Sequence, residues 1–328
     1  LTFGIYLATA FPSLPPKITA TTLIALIVFI HTRTYRESSS GQYLLTLLKL
    51  LLIAAFVLTA FATGSDFSHQ VTGASLLNAG EILSGAGAIA LIYVTYAYSG
   101  WNAATYILGE LEHPKRDLPI ALIVGCALVT VLYVLLNTAF LTSASISSMT
   151  GEVEIAFIVA ETVLGESGAF IVSLLLSGVL ISTVSAMIMA GPRALQRLGQ
   201  DYRGLAWLGK TNEGGLPTNA IVFMGLVALG FLWTSTFEQI LLFAGLVMAA
   251  NTFFTVVAVF VSRRRRTDRP HGGSIFTMPW YPLPALIFLA ITGWTVLYTA
   301  IQYPVQLLVT AAVIALGYPY FQRIRSVQ

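Results

Sequence analysis

The stretch Gly85-Ala-Gly-Ala-Ile-Ala-Leu-Ile-Tyr-Val-Thr-Tyr96-Ala97-Tyr98-Ser99-Gly100-Trp101-Asn102-Ala-Ala-Thr-Tyr-Ile-Leu-Gly-Glu110-Leu-Glu-His-Pro-Lys-Arg-Asp117-Leu-Pro119 decides how the chain is read. As a helix rising about 1.5 Å per residue, 85–109 reaches about 38 Å, more than the ~30 Å hydrocarbon core of a bilayer. Tyr98, Ser99, Gly100 and Asn102 fall near half depth. Hydrocarbon offers no water to backbone groups there, and glycine weakens a helix by roughly 1 kcal/mol relative to alanine. A helix opened at this depth exposes carbonyl and amide groups that a polar ligand can satisfy, the arrangement of interrupted membrane helices with a midplane site.

The rest of the chain fits a membrane setting. Of 328 residues, 56% are hydrophobic and 9% charged, and the mean hydropathy is +0.82. A soluble domain carries about a quarter charged residues, so the composition predicts an integral membrane protein with the lipid bilayer as its principal partner. A net charge of +3 does not signal nucleic acid, because no aromatic reading surface accompanies the basic residues. The single cysteine, Cys126, lies in an apolar segment and permits no internal disulfide. No signal peptide is recognisable, and Leu1–Phe11 reads as the tail of a span whose beginning is absent.

Nine spans are expected, at 14–31, 42–63, 85–109, 119–142, 168–192, 218–234, 237–261, 281–301 and 304–321. If 31–41 is cytoplasmic, alternation places 110–118, 193–217, 262–280 and 322–328 on the same side. Those segments hold 15 of the 17 lysines and arginines, including Arg263–Arg266, leaving only Lys17 and Lys49. Basic residues favour cytoplasmic loops, so the distribution predicts a cytoplasmic C-terminus. Glu152–Leu164 alternates acidic and apolar residues and reads either as an amphipathic helix at the outer interface or as a loop.

Tyr96-Ala97-Tyr98-Ser99-Gly100-Trp101-Asn102-Ala-Ala, followed by Glu110 and His113-Pro-Lys-Arg-Asp-Leu-Pro119, resembles the sixth helix and following loop of amino acid permeases of the amino acid-polyamine-organocation (APC) superfamily, nearest the L-type amino acid transporter branch. The resemblance covers essentially the whole chain and is strongest over 85–119 and 178–204. It implies an all-α polytopic membrane protein with a partial LeuT-like inverted-repeat transporter fold in one transmembrane domain, 1–328. Within it, 1–64 would be the end of the first repeat (the end of helix 3 through helix 5), 85–261 the second repeat (helices 6 to 10), and 281–321 helices 11 and 12. Helices 1 to 3 would be largely missing.

The resemblance also implies roles. Tyr96, Ala97, Tyr98, Ser99, Gly100 and Asn102 would bind substrate, with Tyr96 in the place of an aromatic that closes over it; packing is the alternative for Tyr96 and the main role expected of Trp101. Lys49 stands alone in Leu44-Leu-Thr-Leu-Leu-Lys-Leu-Leu-Leu. Intramembrane lysine costs about 3 kcal/mol on insertion scales and points to function, while snorkelling toward the interface some 12 Å away is the alternative. In the resembled family a lysine in this context sits near the sodium position of sodium-coupled relatives. Lys49 with Ser182 and Thr183 would then form a pseudo-sodium site, making transport sodium-independent. Ser185 stands where related permeases often have Asn. Glu110 and Arg193 would form a cytoplasmic gate, with solvated topology signals as the alternative.

No catalytic or metal-binding pattern is present: His31, His69, His113 and His271 lack metal spacing, and no nucleophile shares a span with a base. The reading is therefore not an enzyme, with no cofactor and no metal. It is a secondary active transporter of amino acids, the resemblance implying neutral L-amino acids as substrates, with any partner subunit unknown. The alternatives are a non-transporting fragment or amino-acid-sensing relative of the same fold and, least favoured, a channel.

Overall fold

The computed structural model describes residues 1–33, 39–63, 79–101, 103–106, 111–265 and 278–325. Its main elements are α1 (Thr2–Ala10), α2 (Pro16–Arg33), α3 (Ser39–Thr63), α4 (Gly85–Ala97), α5 (Ala103–Tyr106), α6 (Pro114–Ser143), α7 (Ile155–Asp201), α8 (Thr218–Thr234), α9 (Phe237–Arg265), α10 (Leu283–Gln302) and α11 (Pro304–Arg325). No strand occurs among the described residues. Eight of the nine expected spans coincide with a helix and the third, 85–109, with α4 and the short α5; among the described residues α3, α6, α7, α9 and α10 have the length and apolarity of a full crossing, and α4, α8 and the Pro304–Pro319 part of α11 are shorter apolar helices. The protein is an all-α polytopic membrane protein.

Two helix boundaries differ from expectation. α6 starts at Pro114 rather than 119, because Pro114 supplies the fixed φ favoured at a first helical position. The His113 carbonyl accepts from the Arg116 and Asp117 amides, at 3.0 and 2.9 Å, so Lys115, Arg116 and Asp117 belong to a helical turn and not to a loop. α7 runs past Pro192 to Asp201. Proline forgoes one helical hydrogen bond, here to the Ile188 carbonyl, and the packed surroundings of the buried Pro192 carry the helix through. Arg193, Arg197 and Asp201 are thus helical, not on the loop expected after residue 192. At its other end α7 is two helices joined at Gly165, whose φ of 72° and ψ of −179° suit glycine alone. The segment before that joint, expected either as an amphipathic helix or as a loop, is helical from Ile155.

The chain divides into two compact units. The first comprises Leu1–Leu76, Leu128–Ser235 and Val327–Gln328. Here α7 is the centre, packing against α1, α2, α3 and α8. Ala169, Ser173 and Ser177 recur every fourth residue along it and are buried, the small-residue stripe that lets membrane helices approach closely. Across it the Thr9 hydroxyl donates to Ser173 Oγ at 2.9 Å, and Phe11 meets Phe170 edge to face. α2 and α8 cross with Gly225 against Val28, tied by Trp233 Nε1 donating to Thr21 Oγ1 at 3.1 Å. Leu23, Ile27, Ile188 and Ile221 form the core where α2, α7 and α8 meet.

The second unit comprises Leu77–Ala127 and Thr236–Ser326. α4 packs against α9 and α10, and α11 packs on α9 and α10. Ile92, Leu242 and Ala249 are its buried centre, and Gly245 admits the Ile92 side chain. α9 opens with a reciprocal cap in which the Gln239 amide donates to Thr236 Oγ1 at 3.2 Å and the Thr236 amide to Gln239 Oε1 at 3.0 Å. Beside it, Glu238 Oε1 accepts from the Tyr93 and Tyr303 hydroxyls, each at 3.5 Å. Burial, and then the Glu238 charge, push the Tyr303 phenol above its ordinary value.

In the first unit a Cβ on Gly199 would stand 2.8 Å from the Leu205 carbonyl oxygen and 2.9 Å from Gly209 Cα, whereas one on Gly178 would meet nothing within 4 Å. Gly199→Ala is expected to cost about 1–3 kcal/mol and lower the unfolding temperature by several degrees, while Gly178→Ala costs nothing. Thermal unfolding of the two purified variants in detergent checks this; an unchanged transition for Gly199→Ala contradicts the close backbone packing.

Candidate functional site

The α4 hydrogen-bond ladder stops in the middle of the apolar stretch. The Tyr98 amide still donates to the Val94 carbonyl at 3.0 Å, but the Ser99 amide donates to Tyr96, three residues back, at 2.9 Å. Gly100 then takes φ +105°, which a residue with a Cβ rarely adopts. Helix resumes at Ala103 as the short α5. Tyr98, Ser99 and Gly100 are half-buried, and Ala97, Tyr96 and Trp101 are exposed within their unit. The interruption lies where Ser99 and Gly100 led us to expect it. Glycine makes the turn conformationally cheap, and Tyr98, with φ −86° and ψ 0°, sits in the bridge region where helices come undone. Asn102 and Glu110 lie outside the described residues.

Lys49 belongs to the first unit, as do Ser182 and Thr183. The Lys49 ammonium donates to Thr183 Oγ1 at 3.3 Å, and the Thr183 hydroxyl donates in turn to the Val179 carbonyl at 3.0 Å. The ammonium therefore meets an oxygen whose own proton is turned away, a chain that favours a cation at that place. Ser182 is not bonded to the ammonium in this arrangement. Neighbouring residues on a helix face different directions, and the Ser182 hydroxyl is buried with no hydrogen-bond partner among the described residues. The rest of the Lys49 surroundings is apolar, a cavity of about 150 Å³ walled by Leu52, Ile53, Phe56, Phe140, Leu176 and Val179 among others.

A third polar locus was not expected. His31 Nε2 lies 2.8 Å from Ser185 Oγ, joining α2 to α7. Sequence reasoning set His31 aside as a residue near a span end. Its signal was a histidine in the last turn of an apolar helix, with a serine on α7 short enough to meet it. Both belong to the first unit, and His31 also lines a cavity of about 310 Å³ that reaches Arg193 and Gln196. No group of three or more His, Cys, Asp or Glu that could hold a metal occurs among the described residues.

Comparison with known proteins bears on what these loci serve. A family model described as amino acid permease matches residues 1–318. The chain is similar to b(0,+)-type amino acid transporter 1 of Oryctolagus cuniculus, 28% identical over 284 residues covering 82% of this chain and 57% of the relative. The corresponding Homo sapiens protein is 27% identical over 272 residues, 78% of this chain and 54% of the relative. Large neutral amino acids transporter small subunit 2 of Mus musculus is 26% identical over 335 residues, 98% of this chain and 61% of the relative. The chain thus spans a little over half the length of these relatives.

Gly100→Ala puts a Cβ on a backbone held at φ +105° with open space around it, so its cost is conformational and not steric. The expected loss is about 1–3 kcal/mol if the turn is kept. Hydrogen exchange at the 96–101 amides checks it, the variant showing altered protection there; identical exchange in both proteins contradicts the positive φ.

Proposed function

The chain belongs to the amino acid permease family, and on that footing we propose that it carries neutral L-amino acids across the membrane by alternating access, without sodium. The observation that carries this reading is the loss of α-helix at 98–101 inside an apolar span. Main-chain dipoles at the break suit the ammonium and carboxylate of a zwitterion, with Tyr96, Ala97, Tyr98, Ser99, Gly100 and Asn102 as its surroundings. Tyr96 closes over the bound molecule. Lys49 on Thr183 supplies the fixed positive charge that a sodium ion would otherwise bring, which supports ion independence. The segregation of 15 of 17 basic residues supports a cytoplasmic C-terminus, the side on which Glu110 and Arg193 would gate. The two five-helix repeats implied by the resemblance remain part of this proposal, with 1–64 and 85–261 as their shares. One relative is named a small subunit, which extends the proposal to a second, larger polypeptide as partner.

The test is uptake of labelled amino acids by proteoliposomes of the full-length protein, with sodium or choline as the cation. Saturable uptake, competed by neutral L-amino acids and unchanged in choline, is expected. Binding without accumulation would replace the carrier by a sensing relative, and unsaturable flux by a channel. Lys49→Ala should lower the uptake rate by at least about tenfold, the worth of one charge-assisted hydrogen bond, and Thr183→Val should act in the same direction. A sodium requirement appearing in Lys49→Ala would strengthen the charge-replacement argument, and wild-type rates in that variant would remove it.

A further inference from the structure

The cavity between α2, α7 and the segment before α8 has a construction that neither the broken helix nor Lys49 explains. Its walls are His31, Ile188, Met189, Pro192, Arg193, Gln196, and Gly214 through Pro217 with Ile221, all in the first unit, and it encloses about 310 Å³. One side is a rigid turn. Asn212 Oδ1 accepts from the Gly214 and Leu216 amides at 3.0 and 2.9 Å, the Gly215 amide bonds the Asn212 carbonyl at 2.9 Å, and Gly215 sits at φ +78°. Asn212 Nδ2 pins the whole turn to α2 through the Thr32 carbonyl at 3.3 Å. The opposite side is α7, where Pro192 withholds the helical hydrogen bond from the Ile188 carbonyl. The floor is apolar, of Ile188, Leu216 and Ile221.

Such a space is amphipathic in a specific sense. A guanidinium, an imidazole and a primary amide share the lining with aliphatic side chains. The same end of the unit carries Arg33, Arg197, Arg203 and Lys210 against Asp201 and Glu213, an excess of positive charge at the ends of α2 and α7. Water alone gains little from the apolar floor, and a wholly apolar molecule leaves the polar rim unmatched. In a membrane protein the abundant molecule with an anionic head, hydroxyl or ester oxygens and an apolar continuation is a phospholipid. Guanidinium pairs with phosphate bidentately where geometry allows, and anionic lipids are drawn to basic pockets at helix ends.

We propose that this cavity is a binding site for the headgroup of an anionic phospholipid, with Arg193 on the phosphate, Gln196 on headgroup hydroxyls, and the glycerol end over Ile188, Met189 and Ile221. The occupied cavity braces the 212–217 turn against α2 and α7. The site does not depend on the transport reading, and it gives Arg193 a function separate from any contact with Glu110.

The experiment uses the full-length protein in nanodiscs of phosphatidylcholine with a minor share of phosphatidylglycerol. Lipid retained after extraction is counted by mass spectrometry, and the unfolding temperature is measured in phosphatidylcholine alone and in the mixture. Wild type should retain phosphatidylglycerol in excess of its share and melt higher in the mixture. Arg193→Gln and Met189→Trp, which fills the space, should each weaken retention by about tenfold or more. Arg197→Gln removes an exposed charge that does not line the cavity and should retain the lipid as wild type does. Equal retention of both lipids by wild type overturns the proposal. So does equal loss in Arg193→Gln and Arg197→Gln, which would mark a diffuse surface field, or full stabilisation by soluble glycerol phosphate, which would make the ligand a free phosphate. If Arg193→Gln does not fold, Met189→Trp and the wild-type lipid preference decide.

Discussion

A peptide group in hydrocarbon has no water to bond, and an unmatched N–H or C=O costs several kcal/mol there. This constraint orders the molecule. It forces helix on every span, so any departure from helix at depth must be matched by something other than the segment's own ladder. The break after Ala97 is such a departure. Glycine at 100 lowers the conformational cost of leaving the helix, but it does not supply the missing partners. A zwitterionic solute, with donors at one end and acceptors at the other, is chemically complementary to a pair of opened helix ends.

The same constraint explains how the chain tolerates so many hydroxyls. Thr59, Thr95, Thr138, Thr183, Thr252 and Thr295 each donate to a carbonyl four residues back, at 2.7–3.0 Å. A threonine bonded in this way presents its methyl and its lone pairs, not its proton, to neighbouring helices. Hence Thr183 is an acceptor for Lys49, while Thr9–Ser173 and His31–Ser185 are further ties to α7 from other helices of the first unit. Three of these polar contacts converge on α7. A helix with small and hydroxylated residues along one face can serve as the rigid member against which others are registered.

How far the sequence revealed this depends on the kind of signal. Apolar runs between charged segments marked the helices well, because transfer of side chains to lipid is a sum over many residues. Boundaries near proline were misplaced: Pro119 and Pro192 read as punctuation, yet α6 starts before the one and α7 runs through the other. Packing can outweigh the one hydrogen bond a proline gives up. The broken helix was legible because Ser99-Gly100 breaks an apolar pattern at half depth. The Lys49 partner was legible as a hydroxyl, but not as Thr183 in preference to Ser182, since that choice is set by the rotation of α7 about its axis. The His31–Ser185 contact and the cavity beside Arg193 were not legible, for they join residues about 150 positions apart through helix packing that no local pattern encodes.

The two polar loci of the first unit sit differently along α7, and this separates their chemistry. Lys49 meets α7 at Thr183 among Leu, Ile and Phe side chains. Its charge is weakly screened, and its effect on any nearby ion or zwitterion is correspondingly large. Arg193 lies more than two turns further on, in a helix segment that already carries Arg197 and Asp201. In the proposed lipid site its charge would act by anchoring and orienting a headgroup. One helix, α7, thus meets a cation of α3 at Thr183 and carries a second, Arg193, of its own. Pro192 stands between these two loci, buried, and the helical hydrogen bond it withholds is a cost that the packing around it carries.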